Sequence, residues 1–180
     1  MTLAQLCLLL GAGMVVSHGL ALLKPDWVGS WLQKFPRNGG LGVLLMLIGT
    51  AWFEWNLWHE TLSDIAPWKN LMLIGFAVVG VGCCFFVRDY LAVRGLSVVM
   101  LMAAWWMCEH ARWHDSPWRN AITGWAYVWV ILAMWWSMSP WRLRDAIQWV
   151  TQAPVRFRLA AVSGIVWGVF VTFLGLVVLR

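Results

Sequence analysis

Charge is what this sequence has least of. Asp, Glu, Lys and Arg make up 12% of its 180 residues, against about 25% in an ordinary soluble domain. Too few charges remain to cover a water-facing surface, so a soluble globular fold is excluded. The 62% hydrophobic content excludes disorder as well. Cysteine is also scarce. Cys7, Cys83, Cys84 and Cys108 form no CxxC pair and lie in apolar stretches, so they read as small hydrophobes rather than a zinc site or a disulfide framework. G-x-S-x-G, complete H-E-x-x-H and Walker motifs are absent, which leaves no catalytic signature. The first six residues carry no Lys or Arg, and no A-x-A site follows. The first apolar run is therefore expected to be a retained helix, not a signal peptide.

What is present is tryptophan, 17 residues of it, and a series of long apolar runs. Tryptophan favours the boundary between hydrocarbon and water, and a spanning helix needs roughly 20 apolar residues. Six runs qualify: about 3–23, 39–58, 71–87, 91–113, 121–139 and 159–179. The expected fold is an all-α integral membrane protein, one transmembrane domain of six helices in a bundle. Residues 141–150 add one amphipathic helix on the cytoplasmic interface. There Leu143, Ala146, Ile147 and Val150 recur at helical spacing among Arg142, Arg144, Asp145 and Gln148. Pro154 is expected to end it.

The net charge of +5 does not point to nucleic acid, because the basic residues lie between apolar runs. They set orientation instead. With six spans, Lys24, Lys34, Arg37, Arg88, Arg94, Arg142, Arg144, Arg156 and Arg158 fall on one side. Lys69, Arg112, Arg119 and Arg180 fall on the other. The positive-inside rule places the larger group in the cytoplasm and both termini outside. The acids Glu60, Asp64, Glu109 and Asp115 then lie outward, and Glu54 lies within a span. A bacterial-type inner (plasma) membrane is the expected location.

An internal repeat is suggested by "EWNLWHE" at the end of the second run and "EHARWHD" at the end of the fourth. Glu54 aligns with Glu109, Trp58 with Trp113, His59 with His114, and Glu60 with Asp115. "PWKN" (67–70) and "PWRN" (117–120) precede the next runs, with Asn in the place of a helix cap. Residues 39–87 and 91–139 are thus expected to be parallel repeats of one hairpin.

The repeat gathers polar chemistry at one depth. Glu54 and Glu109 are expected as intramembrane acids, which are costly and so functional by default. His59, His110 and His114 are candidate ligands to haem or a divalent metal. His110 and His114, four apart, share a face if the helix continues. Trp58, Trp113, Glu60 and Asp115 support the cluster, and an indole N–H can donate to a neighbouring carboxylate. The plain alternative is a polar membrane boundary with aromatic anchors. His18 reads as a helix-packing residue.

Gly164 and Gly168 form a GxxxG that permits close helix approach, within the chain or with another membrane protein or a second copy. Three roles are compatible with these features. The leading one is a non-enzymatic subunit or scaffold of a membrane complex. The others are a haem- or metal-binding redox protein with its site near the outer face, and a small ion- or proton-coupled transporter or channel.

Overall fold

The computed structural model describes residues 2–61 and 66–179. Asp64 and Arg180, which enter the charge asymmetry above, lie outside them. The described residues form eight α-helices and no strand: α1 (Leu3–Leu23), α2 (Pro25–Lys34), α3 (Gly39–His59), α4 (Lys69–Phe86), α5 (Leu91–Arg112), α6 (Arg119–Met138), α7 (Trp141–Thr151) and α8 (Pro154–Phe173). A π-helical turn, Leu174–Val178, extends α8. Six helical segments are long and apolar enough to cross a membrane: Leu3–Leu23, Gly39–His59, Ala66–Phe86, Leu91–Arg112, Arg119–Met138 and Pro154–Val178.

Two compact units divide the chain. The first comprises Met1–Lys34, Ala103–Trp129 and Arg144–Arg180; the second comprises Phe35–Met102 and Val130–Leu143.

In the first unit α1 and α8 pack through glycines. Gly11 lies against Gly168 and Thr172, Gly164 receives the ring of His18, and Gly175 lies against Ala4 and Cys7. Missing side chains let the two backbones close in, and dispersion contacts replace them. The Thr172 hydroxyl donates to the Gly168 carbonyl at 2.7 Å, satisfying itself inside the packed face. His18 Nδ1 bonds the Met14 carbonyl at 2.9 Å, so it serves helix packing, as its position suggested. Gly164 and Gly168, the expected partner surface, are therefore already covered by α1 within the chain.

Two short amphipathic helices stand beside this pair where one was expected. Residues 25–34, between the first two apolar runs, form α2. Pro25 opens it with a preset φ, Asp26 sits in its first turn and Lys34 in its last, each favoured by the helix dipole. Val28 and Leu32, one turn apart, pack with Val150 of α7 on Ala21, Phe157 and Ala161. Gln33 Nε2 donates to Thr151 Oγ1 at 2.9 Å, joining α2 to α7. Pro154 does more than follow α7: it is the first residue of α8. Arg156 and Arg158 therefore lie in the first turns of α8 rather than before it. The Arg156 guanidinium stacks on Trp149 at 4.6 Å.

In the second unit α3 is held from two directions. The side chain of Thr50 fills the space above Gly80 of α4, and Phe53 meets Phe76 edge-on at 4.7 Å. On its other flank Gly42 and Gly49 receive the first half of α5, at Leu91–Ala92 and Val98, and Gly95 of α5 receives Leu45 and Met46. The turn from α4 to α5 is tight, with Tyr90 at φ 55°. The side chain of Asn38 caps α3, accepting from the Leu41 amide at 3.0 Å.

Candidate functional site

The expected polar residues are distributed over both units, with Glu54, Trp58, His59 and Glu60 in the second and Glu109, His110, Trp113, His114 and Asp115 in the first. Each group has its own geometry.

In the second unit these residues form the last turns of α3. Glu54 is half-buried. Its Oε1 is buried and has no hydrogen-bond partner among the described residues, a costly condition for a polar atom. The indole of Trp58 does not cover it; that side chain is 63% exposed. His59 is exposed, and its Nδ1–H donates to the Trp55 carbonyl at 2.8 Å while its ring lies 4.5 Å from the Trp55 indole. That bond leaves the Nε2 lone pair outward, the arrangement a metal-ligating imidazole uses. Glu60 terminates α3. Lys69, in the first turn of α4, then reaches back. Its ammonium donates to the Trp58 carbonyl and, at 2.9 Å, to the Glu60 carbonyl.

In the first unit Glu109 differs from its proposed counterpart. It lies 3.5 Å from the Arg112 guanidinium, and its side chain is 39% exposed. His110 repeats the His59 arrangement: Nδ1–H donates to the Trp106 carbonyl at 2.8 Å. His114 does not. The helix stops at Arg112, so His114 lies beyond it and no longer shares a face with His110. His114 Nδ1 accepts from the Ser116 amide at 3.2 Å, which leaves the proton of a neutral ring on Nε2. Arg119 makes this ending by donating to the carbonyls of Arg112 at 3.0 Å and His114 at 2.7 Å. Trp113 and Asp115 are exposed.

In bonding, His59 corresponds to His110, four residues after Trp55 and Trp106, not to His114. The shared element of PWKN and PWRN is the cation. Lys69 and Arg119 each cap the carbonyl end of the preceding helix, where positive charge is favoured. Asn70 and Asn120 sit inside the first turns of α4 and α6 rather than capping them.

Among the described residues no three His, Cys, Asp or Glu side chains gather as ligands to one metal ion. The structure does bring together an aromatic group that sequence reading passed over. In the first unit Trp125 of α6 meets Trp129 at 5.3 Å and Trp167 of α8 at 5.9 Å, and Trp167 meets Phe170 at 5.3 Å. The i,i+4 spacing of Trp125 and Trp129 was the available signal. In comparisons with known proteins, no family model, curated protein or solved structure matches the chain.

Proposed function

We propose that the chain is a non-enzymatic subunit or scaffold of a membrane complex, set in a bacterial-type inner membrane with both termini outside the cytoplasm. The observation that carries this reading is the state of α4. Only Gly80 is buried along its length. Its candidate span is 6% buried, against 22% for that of its neighbour α3. Leu71, Ile74, Val78, Val79 and Phe85 are exposed, and Gly75 has open space around it. A helix with one face on α3 and a glycine notch on its free side suits close approach by another membrane helix. The Gln33–Thr151 bond between α2 and α7 supports a topology in which these two short helices share a side, and the positive-inside rule assigns that side to the cytoplasm.

The test is a photocrosslinking residue at Val79 in the native membrane. A discrete protein adduct of reproducible mass is expected. Adducts to lipid alone, with a chain that purifies unaccompanied in gentle detergent, would overturn the reading.

One observation favours a second reading, an ion or proton pathway: the unpartnered Oε1 of Glu54 within α3. Intramembrane acids mark such paths. Glu54→Gln is then expected to abolish flux in liposomes, and wild-type flux in that variant would remove this reading.

A further inference from the structure

We propose that the first unit binds one glycerophospholipid with a primary-amine headgroup. One acyl chain lies in an apolar cavity on one side of α2, and the headgroup lies across Asp26 and Arg158 on the other. The inference rests on reading the chain as a membrane protein, with α2 and α7 at headgroup depth.

Two open cavities flank α2. The first, about 390 Å³, is lined by apolar side chains that include Leu20, Ala21, Leu32, Phe157 and Ala161. Its polar residues are Ser17 and His18, and both are turned to the backbone. The Ser17 hydroxyl donates to the Met14 carbonyl at 3.1 Å, as His18 Nδ1 does at 2.9 Å. An occupant of matching chemistry is a hydrocarbon chain. The volume is within the range of ligand pockets.

The second cavity, about 510 Å³, is lined by Asp26, Ser30, Gln33, Thr151 and Arg158, with Pro25, Gly29, Pro154 and Phe157. Phe157 borders both cavities, so the apolar space and the polar one are neighbours. Most of the polar lining is already engaged. Ser30 donates to the Trp27 carbonyl, Gln33 Nε2 to Thr151, and Thr151 to the Ile147 carbonyl. Asp26 and Arg158 are different: among the described residues neither forms an ion pair with the other or with any third charge.

An anion and a cation facing one polar cavity, each unpaired, complement a zwitterion. Arg158 suits a phosphate, which a guanidinium binds through two parallel N–H donors. Asp26 suits an ammonium. The Gln33 amide oxygen, its nitrogen spent on Thr151, remains as a second acceptor for ammonium protons. These two acceptors favour a primary amine over a quaternary one, which has no N–H to give. A phospholipid carries this headgroup and the hydrocarbon chain in one molecule. Trp27 and Trp31, both exposed on α2, suit the same boundary. Lys24 and Arg156 are next in sequence to the lining residues Pro25 and Phe157, and Arg156 is held on Trp149.

The experiment uses the full chain, delipidated and placed in nanodiscs, with phospholipids bearing a photoreactive group on one acyl chain. Phosphatidylethanolamine, phosphatidylcholine and phosphatidylglycerol are compared, and adducts are mapped by peptide mass. Phosphatidylethanolamine is expected to label residues 20–32 or 157–161 about tenfold more than the others, the size of one charge-assisted contact. Asp26→Asn should reduce it to the phosphatidylcholine level. Arg158→Gln should lower labelling by both lipids. Ala160→Phe, which fills the apolar cavity, should remove the adduct while the protein stays monodisperse. Soluble glycerophosphoethanolamine should compete poorly, because it lacks the chain. Equal labelling by all three lipids, unaltered by Asp26→Asn and Arg158→Gln, would overturn the proposal, as would full competition by the soluble headgroup. Capture of a protein partner at α4 is a separate readout, so the two readings fail independently.

Discussion

A methyl group added at Gly42 would lie 2.7 Å from the Ala92 amide nitrogen and 2.9 Å from the Leu91 carbonyl carbon. Backbone cannot yield as a flexible side chain does, so Gly42→Ala should force α3 and α5 apart locally. We expect a loss of about 1–3 kcal/mol, the usual cost of overpacking, read as a lower melting temperature in detergent. Gly75→Ala meets nothing within 4 Å and serves as the matched control, with a melting temperature at or slightly above wild type. Unchanged stability in Gly42→Ala would refute the close approach. Glu54 gives a residue-scale prediction of opposite sign. Its buried Oε1 has no partner, so Glu54→Leu removes an unsatisfied polar atom whose burial costs about 1–3 kcal/mol. The variant should melt higher than wild type, and a lower melting temperature would mean that Glu54 makes a stabilising contact. Sequence could place Glu54 inside a span because an acid among apolar residues is conspicuous. It could not show that Glu109 is ion-paired while Glu54 is not, because that depends on where α5 ends and on Arg112.

Helix ends decide most of what the elements do here. Lys69 and Arg119 each reach back from the first turn of one helix to the last carbonyls of the preceding one. Lys69→Ala should fray the end of α3 and Arg119→Ala the end of α5. The expected loss is about 0.5–1.5 kcal/mol each, typical of a hydrogen bond with part of its strength lost to solvent. Hydrogen exchange should rise at residues 57–60 in the first variant and 110–114 in the second. Exchange unchanged in both would remove the capping role. The six long apolar helices were legible, since a run of about 20 apolar residues has few alternatives. Their ends were less so: the matching letters pair His59 with His114, whereas in hydrogen bonding His59 resembles His110, each bonded to the carbonyl of a Trp four residues before it. Helix α2 is hard to read from composition because Pro25, Gly29 and Ser30 are loop formers. Its signals were positional instead: Pro at the first residue, Asp in the first turn, Lys in the last, and Val28 and Leu32 one turn apart. The cavity that Asp26 and Arg158 both line depends on α2 being helical.

At the scale of the whole molecule, orientation is the property that charge alone can specify. Under the proposed topology, Lys24, Lys34, Arg37, Arg88, Arg94, Arg142, Arg144, Arg156 and Arg158 share one side and outnumber the basic residues of the other, and translocating a basic flank is what the positive-inside rule opposes. The bond between Gln33 and Thr151 adds a constraint independent of charge. Two segments in contact outside the apolar runs share a side, so under the proposed membrane topology the four candidate spans between them, α3 to α6, cross an even number of times. Four crossings satisfy this, whereas reading just one of those runs as re-entrant would leave three and separate α2 from α7. The prediction concerns single cysteines in a background with Cys7, Cys83, Cys84 and Cys108 replaced by alanine. Ser30→Cys on α2 and Gln148→Cys on α7 should both resist a membrane-impermeant maleimide applied to intact cells and react after lysis. Thr61→Cys and Asp115→Cys, at exposed positions after α3 and α5, should react from outside. Opposite behaviour of Ser30→Cys and Gln148→Cys would break the even count of crossings. Uniform reversal of all four would preserve the count and overturn the charge-based orientation, so the two arguments are tested separately by one set of labels.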